Sequence, residues 1–129
     1  MDLHESGEMY LETILILKKQ NEYVRSIDIA HTMDFSKPSV SRAIKLLKES
    51  QLIVVDDKGY IDFTDEGRRI AEKVYGRHQI LTEFLVSIGV SAKQAEEDAC
   101  RIEHIISDET QQCIQSFFHC FFITMICHT

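Results

Sequence analysis

Residues 36–48 read SKPSVSRAIKLLK, and this stretch predicts a helix whose beginning is marked by its residue types. Ser36 is a favourable N-cap, and Pro38 falls in the first turn, where a missing backbone donor is tolerated. Apolar residues follow at helical spacing and define a stripe expected to be buried: Val40, Ala43, Ile44 and Leu47. The stretch also carries four basic residues and no acid, so it predicts an amphipathic helix with a basic outer side.

The elements on either side of this helix complete a recognisable order. Residues 5–20 predict a first helix, and residues 25–34 predict a second, with Ser26 as its N-cap. The second helix is expected to bury four apolar residues: Ile27, Ile29, Ala30 and Met33. After the basic helix, residues 52–55 and 60–63 predict two strands joined by a turn at Asp57-Lys58-Gly59. Two helices, a recognition helix and a hairpin form a winged helix-turn-helix.

The second half of the chain predicts further helices, and no Pro/Gly-rich linker precedes it. Thr64 opens a helix that runs to about Leu85, and Gly89-Val90 breaks it. Ser91 caps a second helix that runs to about Ile106, and Ser107-Asp108-Glu109 caps the last helix. The predicted fold class is therefore mostly α. We expect a winged helix-turn-helix domain over residues 1–63 and an all-helical domain over residues 64–129.

The charge distribution leaves room for a sequence-specific DNA reader. The chain of 129 residues has a formal net charge of −7, which argues against a general nucleic-acid binder. A local basic patch on an acidic body nevertheless suffices for a specific one. We expect the amino end of the basic helix to face base edges, with later lysines and the hairpin tip near phosphates. The candidate DNA contacts are Ser36, Lys37, Pro38, Ser39, Ser41, Arg42, Lys45, Lys48 and Lys58. The alternative is an ordinary solvated helix face on a small bundle.

A second group of residues has the chemistry of a transition-metal site. Cys100, Glu103 and His104 are spaced three and four apart, which places them on one face of the predicted helix. This mixture of soft and hard ligands suits Fe²⁺, Co²⁺, Ni²⁺ or Zn²⁺ better than Mg²⁺ or Ca²⁺. Further candidate ligands are Met9 and Glu12 on the first helix and His78 on the helix before Cys100.

Each of these residues also has a structural explanation. Met9 fits an apolar core, and a buried Cys100 can act as a small hydrophobic residue. His78 can be a surface or core histidine, and Glu103 can pair with Arg101 or Arg77. The spacing alone therefore leaves the metal site open.

The opening MDLHESGEMY is acidic and has no apolar run, so no secretory leader is predicted and a cytoplasmic location is expected. The four cysteines are then expected to be thiols or ligands. Residues 110–129 contain no Asp, Glu, Lys or Arg, and Cys113, Cys120 and Cys127 recur there every seven residues. The apolar part of this tail is too short to span a bilayer, and we expect a helix buried in a dimer interface.

Several segments together resemble the diphtheria toxin repressor family, which includes manganese transport regulators. They are EMYLETI at 8–14, KPSVSRAIKLL at 37–47, FTDEG at 63–67, GRHQILTEFL at 76–85 followed by IGV, and EDACRIEHIISDE at 97–109. The resemblance implies a homodimeric repressor that binds a palindromic double-stranded DNA operator when loaded with Fe²⁺ or Mn²⁺. It also implies the short two-domain type, in which the helical domain binds metal and makes the dimer.

The resemblance further assigns ligands, with departures. Four residues fall where iron-type members place their activating site: Met9, Cys100, Glu103 and His104. His78 falls on a second, adjacent site, and Glu12 matches a carboxylate of manganese-type members. Thr82 stands where a carboxylate is common, and Glu96 stands where iron-type members place a second histidine, so Glu96 is a tentative ligand. The thiol and thioether favour Fe²⁺ over Mn²⁺.

Two other functions remain open from the residues. A thiol- or zinc-responsive regulator could use the same winged-helix scaffold, with Cys100 reacting instead of ligating. A metalloenzyme is disfavoured because no Gly-rich loop or additional carboxylate near the ligands indicates a substrate pocket. We therefore expect a regulator and not an enzyme.

Overall fold

The computed structural model describes residues 5–127, with side chains described from residue 6 to residue 120. Within this part of the chain there are six helices and two strands: α1 (Glu5–Gln20), α2 (Ser26–Met33), α3 (Lys37–Glu49), β1 (Ile53–Val55), β2 (Ile61–Phe63), α4 (Asp65–Ser87), α5 (Ala92–Ile102) and α6 (Asp108–Cys127). The predicted mostly α fold is confirmed. Two compact units meet in sequence within α4, the first ending at Tyr75 and the second beginning at Gly76.

The first unit is built on one apolar core. Helices α1 to α3, the loop between α1 and α2, and the hairpin contribute its most deeply buried side chains: Leu11, Ile14, Val24, Ile29, Val40, Ile53 and Ile61. Burial of such side chains contributes about 1.5–3 kcal/mol each relative to exposure. The strands pair antiparallel with Ile53 opposite Phe63, and the Ile61 amide donates to the Val24 carbonyl at 2.8 Å. This last bond anchors the hairpin to the loop between α1 and α2.

Helix α3 begins as its sequence predicts. The Ser36 hydroxyl accepts a hydrogen bond from the Ser39 amide at 3.3 Å, and Pro38 lies in the first turn. Val40, Ile44 and Leu47 are buried, which leaves the basic residues on the outer side. The cap and the apolar stripe together fix which face of α3 is available to a partner.

Helix α2 differs from the prediction at its start. The N-cap is Arg25 and not Ser26: the Arg25 amide donates to Asp28 Oδ2 at 2.8 Å, so the acidic side chain at the third position closes the first turn. Ile27 was predicted to be buried but is 37% exposed, whereas Ile29 and Ala30 are buried. An eight-residue helix turns only a narrow face to the core, and here that face excludes Ile27.

The junction between β2 and α4 is tightly packed. The Thr64 hydroxyl donates to the Gln51 carbonyl at 2.7 Å and accepts from the Gly67 amide at 3.1 Å. Thr64 is thus the cap that the sequence predicts. A Cβ atom on Gly67 would lie 1.8 Å from the Leu52 carbonyl oxygen, so only glycine allows α4 to approach the start of the hairpin this closely.

In the second unit the helix starts agree with the prediction, but one end does not. Ser91 caps α5 by accepting from the Gln94 amide, and Ser107 caps α6 by accepting from the Thr110 amide. Gly89, with φ of +106°, ends the preceding turn. Helix α5 was expected to run to about Ile106 but ends at Ile102.

Helix α6 includes the predicted apolar tail. Phe117, Cys113 and Cys120 are exposed in this chain. The predictions for the Phe121, Phe122 and Cys127 side chains lie outside the described residues, and burial of the tail in a dimer interface stays a prediction. Within residues 5–127, no helix combines the length and the apolar character needed to cross a bilayer.

Candidate DNA-binding surface and metal centre

The predicted DNA contacts lie on one exposed surface of the first unit or at its hairpin tip. On α3 and its cap, all of them are exposed except Ser39, which is partly buried: Ser36, Lys37, Pro38, Ser39, Ser41, Arg42, Lys45 and Lys48. Lys58 is exposed at the turn between the strands, where Asp56 Oδ1 accepts the amides of Lys58 and Tyr60 at 2.9 and 2.8 Å. These two hydrogen bonds fix the backbone of the turn, from which the Lys58 side chain extends into solvent.

An aromatic cluster that the sequence did not predict joins the hairpin to the loop between α1 and α2. The Tyr23 and Tyr60 rings stack at a centroid distance of 4.4 Å, and the Arg25 guanidinium lies 4.7 Å from the Tyr60 ring centre. A guanidinium above an aromatic face is stabilised by the ring quadrupole. The three residues are distant in sequence or lie in a loop, so periodicity gives no signal for them. The cluster holds an additional positive charge beside the hairpin.

One acidic residue links three elements of the first unit. Asp62 on β2 forms an ion pair with Lys18 of α1 at 3.2 Å and a longer one with Arg68 of α4 at 3.8 Å. Burial raises the pKa of the Asp62 carboxyl, but the Phe63 amide and the Lys18 ammonium outweigh it, so the pKa lies below its ordinary value. Asp62 therefore favours this arrangement most when it is ionised.

The positive charge of Arg42, on α3, affects the pKa of the buried Tyr10 hydroxyl on α1. Burial raises the pKa of the Tyr10 hydroxyl, and the positive charge of Arg42 partly offsets that rise. The Tyr10 ring packs near the Phe35 ring, at a centroid distance of 6.0 Å, beside the turn that leads into α3. An aromatic contact thus joins α1 to the residue before the Ser36 cap of α3.

The second unit brings together three of the predicted metal ligands. Glu103 is fully buried at its carboxylate, and its Oε2 lies 2.9 Å from His78 Nδ1. Its Oε1 lies 3.2 Å from His104 Nε2, and the His104 side chain is only 1% exposed. Taking a carboxylate out of water is costly unless charge or hydrogen bonds compensate it. Two imidazoles on one buried carboxylate form a donor set of the kind that binds transition metals.

The helix that was expected to carry Cys100, Glu103 and His104 ends earlier than predicted. Glu103 is the C-cap of α5 and His104 lies in the turn that follows, so only Cys100 lies within the helix. The Glu103 amide still donates to the Ala99 carbonyl at 3.0 Å, which continues the helical bonding by one residue. Glu103 and His104 are thus placed by the turn, whereas Cys100 is placed by the helix.

Arg77, beside His78 on α4, is a residue whose role the sequence did not identify. It was considered as a partner for the Glu103 carboxylate, but its Nη1 donates to the Glu103 backbone carbonyl at 3.2 Å. Its Nη2 pairs with Asp108 Oδ1 at the start of α6. Arg77 of α4 therefore holds both the turn that carries Glu103 and the start of α6.

The remaining candidate ligands are placed as follows. Cys100 is half-buried on the last turn of α5, and Glu96 is exposed on the same helix. Met9 and Glu12 belong to the first unit, on α1, where Met9 is partly buried and Glu12 is 7% exposed. Thr82 directs its hydroxyl to the His78 carbonyl at 2.8 Å. Their assignment to an ion stays a prediction.

Comparison with known proteins identifies the family. Residues 2–61 match the model for the iron dependent repressor, N-terminal DNA binding domain. Residues 64–121 match the model for the iron dependent repressor, metal binding and dimerisation domain. These two models describe a regulator, which supports the expectation that the chain is not an enzyme.

Individual relatives agree with this assignment. The chain is 31% identical over 112 residues to the diphtheria toxin repressor of Corynebacterium diphtheriae, covering 86% of this chain and 50% of that protein. It is 33% identical over 102 residues to the HTH-type transcriptional regulator MntR of Geobacillus kaustophilus, covering 79% and 72%. Among solved structures, the manganese regulator SloR matches with a TM-score of 0.78 at 28% identity, over 92% of this chain and 55% of SloR.

The chain spans about half the length of the diphtheria toxin repressors that it matches. Because the two family models together cover most of its residues, the chain belongs to the iron-dependent repressor family, in which the diphtheria toxin repressor and the manganese regulators stand together.

Proposed function

We propose that this member of the iron-dependent repressor family is a metal-dependent transcriptional repressor, in which a bound divalent metal promotes operator binding by the first unit. The observation that carries the proposal is the buried Glu103 carboxylate between His78 and His104. It lies in the part of the chain that matches a metal binding and dimerisation domain.

The chemistry of the buried cluster fits a divalent transition metal. A bound ion would supply positive charge that compensates the Glu103 carboxylate in a site shielded from water. If His78 Nδ1 donates a hydrogen bond to Glu103 Oε2, the other ring nitrogen, Nε2, keeps its lone pair and can coordinate an ion. Glu103 can therefore act as a ligand, as the orienting partner of a histidine ligand, or as both.

We assign the wider ligand set by residue chemistry and by the family resemblance. It consists of Met9, Glu12, His78, Cys100, Glu103 and His104, with Glu96 as a tentative addition. The thioether of Met9 and the thiol of Cys100 are soft donors, which favour Fe²⁺ over Mn²⁺. Glu12 is a hard donor that also suits Mn²⁺, so the preference for Fe²⁺ is expected to be modest.

The DNA partner follows from the first unit. The exposed side of α3 is basic, its amino end is capped and free of acids, and Lys58 is exposed at the turn of the hairpin. Such a surface suits a recognition helix in the major groove with a wing near the backbone. We propose a homodimer that binds a palindromic operator, with half-sites about one helical turn, roughly 34–36 Å, apart. A cytoplasmic location follows from this role.

Metal responsiveness requires a difference between two states. An ion raises DNA affinity only if it binds the DNA-competent arrangement more tightly than the other arrangement. Linkage then requires that DNA raise metal affinity by the same factor. Regulators of this kind couple their sites by about 1–3 kcal/mol, so a roughly 5- to 150-fold effect is expected in both directions.

The test combines metal binding with DNA binding on the full chain. Anaerobic protein is titrated with Fe²⁺ and with Mn²⁺, and DNA shift is measured in the same solutions and in excess chelator. Glu103→Gln should lose both tight metal binding and the metal-dependent shift. Glu97→Gln, an exposed residue of α5, is the matched control and should behave as the wild type. Equal DNA binding in chelator, or a full metal response in Glu103→Gln, would contradict the proposal.

The same titration separates the proposed metal from the thiol alternative. Cys100→Ser should weaken Fe²⁺ binding more than Mn²⁺ binding, because it replaces a soft donor with a hard one. If Cys100→Ser instead keeps its full response to metal and loses a response to peroxide, the chain is a thiol-responsive regulator.

A further inference from the structure

A chain of hydrogen bonds runs along the exposed side of the recognition helix. The Ser36 hydroxyl donates to the Ser39 hydroxyl at 2.9 Å, and the Arg42 Nη2 donates to the same Ser39 oxygen at 3.4 Å. The Ser39 amide donates to Ser36 Oγ at 3.3 Å, so the first member of the chain is also the helix cap. Each residue is three positions from the next, which makes consecutive members neighbours on the surface of α3 and its cap.

This arrangement points the Arg42 side chain toward the amino end of α3. Long side chains on a helix lean toward the amino terminus, and here the Ser39 oxygen gives the guanidinium a definite hydrogen-bond partner. In the described part of the chain, the contact to Ser39 is a contact with a neutral group, and Arg42 forms no ion pair. Its positive charge and most of its five N–H donors thus remain available to DNA.

The geometry of the Arg42 guanidinium indicates which DNA acceptor it fits. The guanidinium fork matches the O6 and N7 atoms of guanine in the major groove, and this is a common specific contact of recognition helices. The first residues of such a helix meet base edges, whereas later basic residues meet phosphates. On α3, Arg42 stands nearer the amino end than Lys45 or Lys48.

Building on the proposed DNA-binding function, we propose that Arg42, held by the Ser36–Ser39 hydrogen-bond chain, reads one guanine in each operator half-site. Ser39 is then a positioning residue: it keeps the guanidinium near the amino end of α3 before DNA arrives, which reduces the rotamer freedom lost on binding. Lys45 lies one turn further along the helix and contacts phosphate without base preference.

The test begins with the wild-type chain and a random double-stranded DNA library, selected with anaerobic Fe²⁺ and separately with Mn²⁺. Each base pair of the selected half-site is then substituted, and the affinities of wild type, Arg42→Ala, Arg42→Gln and Ser39→Ala are measured. The wild type should select one invariant guanine and discriminate against other bases there by about 5- to 150-fold. Arg42→Ala should lose this discrimination at that one position only.

Two variants make the prediction sharper. Arg42→Gln should prefer adenine at the same position, since glutamine pairs with the N6 and N7 atoms of adenine. Ser39→Ala keeps the charge, so it should reduce the discrimination without changing the dependence of affinity on salt. The contrasting variant is Lys45→Ala, which should weaken binding to all sequences alike and lower the salt slope by about one unit.

The outcomes separate this inference from the function on which it rests. If the wild type binds no DNA with either metal, the proposed function fails and this inference fails with it. If the wild type binds an operator but Arg42→Ala weakens every sequence equally and lowers the salt slope, Arg42 is a phosphate contact. In that case the function stands and the guanine assignment is overturned.

Discussion

Replacing Gly67 by alanine tests how α4 is joined to the DNA-binding hairpin. The added Cβ would lie 1.8 Å from the Leu52 oxygen and 2.7 Å from its carbonyl carbon. Both atoms belong to the main chain, so no side-chain rotation can relieve the contact, and the two backbones must separate by more than an ångström. The movement would also strain the bonds of Thr64 to Gln51 and Gly67.

Gly76, on the same helix, provides a control for the glycine-to-alanine change itself. A Cβ on Gly76 would meet no heavy atom of the described residues within 4 Å apart from its own helix. Alanine in an open helical position is favoured over glycine by about 0.5–1 kcal/mol, so Gly76→Ala should raise the free energy of unfolding by that amount. Gly67→Ala gains the same helix propensity but also introduces overpacking, which lowers the free energy of unfolding by about 1–3 kcal/mol. Because the added methyl meets main-chain atoms, we expect a cost at the upper end of that range. The net loss is about 2 kcal/mol.

The assay is urea unfolding followed by circular dichroism, with excess chelator so that metal linkage does not enter. The two variants should move the unfolding midpoint in opposite directions, and their stabilities should differ by about 3 kcal/mol. A Gly67→Ala protein as stable as Gly76→Ala would refute the close approach of α4 to Leu52.

Three further results are expected. Because the Asp62 pKa is lowered in the folded protein, its stabilising effect is complete above the ordinary carboxyl pKa of about 4 and disappears as pH falls through the lower folded value. The stability difference between wild type and Asp62→Asn, at most about 1 kcal/mol for this exposed pair, should therefore decrease steadily in acid unfolding titrations taken below a pH of about 4. Arg77→Ala removes the donor to the Glu103 carbonyl and the partner of Asp108, so calorimetry should show metal affinity reduced by about tenfold, and unchanged affinity would exclude a positioning role. Ser91→Ala removes the cap of α5 and should lower thermal stability by about 1 kcal/mol, whereas no loss would show that the α5 terminus is frayed.

The DNA-binding unit was largely predictable because its signals are local. The Ser36 cap, Pro38 in the first turn and the apolar stripe of α3 are all found within thirteen residues, and each agrees with the fold. The error at α2 is also local: Arg25 takes the cap because the Asp28 side chain closes the turn, an arrangement that competes with a serine cap one residue later.

For the candidate metal centre, the sequence indicated which residues to consider but not how they are arranged. Residue types identified Glu103, His104 and His78 as candidates, yet the regular helix assumed for the first two ends at Ile102. The contact between His78 and Glu103 joins residues 25 apart in sequence, and no periodicity extends over that distance. Arg77 was weighed as a partner of the carboxylate and instead binds the carbonyl, a choice that depends on where the turn places each oxygen.

The sequence by itself determined the order of the helices and strands and the caps at Ser36, Ser91 and Ser107, since each depends on a few neighbouring residues. It also determined which donor types are present at the candidate metal site, since that depends on side-chain type alone. Tertiary structure decided the approach of Gly67 to Leu52, the stacking of Arg25 on Tyr60 and the burial of Glu103 between two histidines. These contacts join residues from different elements, and their distances follow from how whole helices and strands pack, which no local pattern encodes.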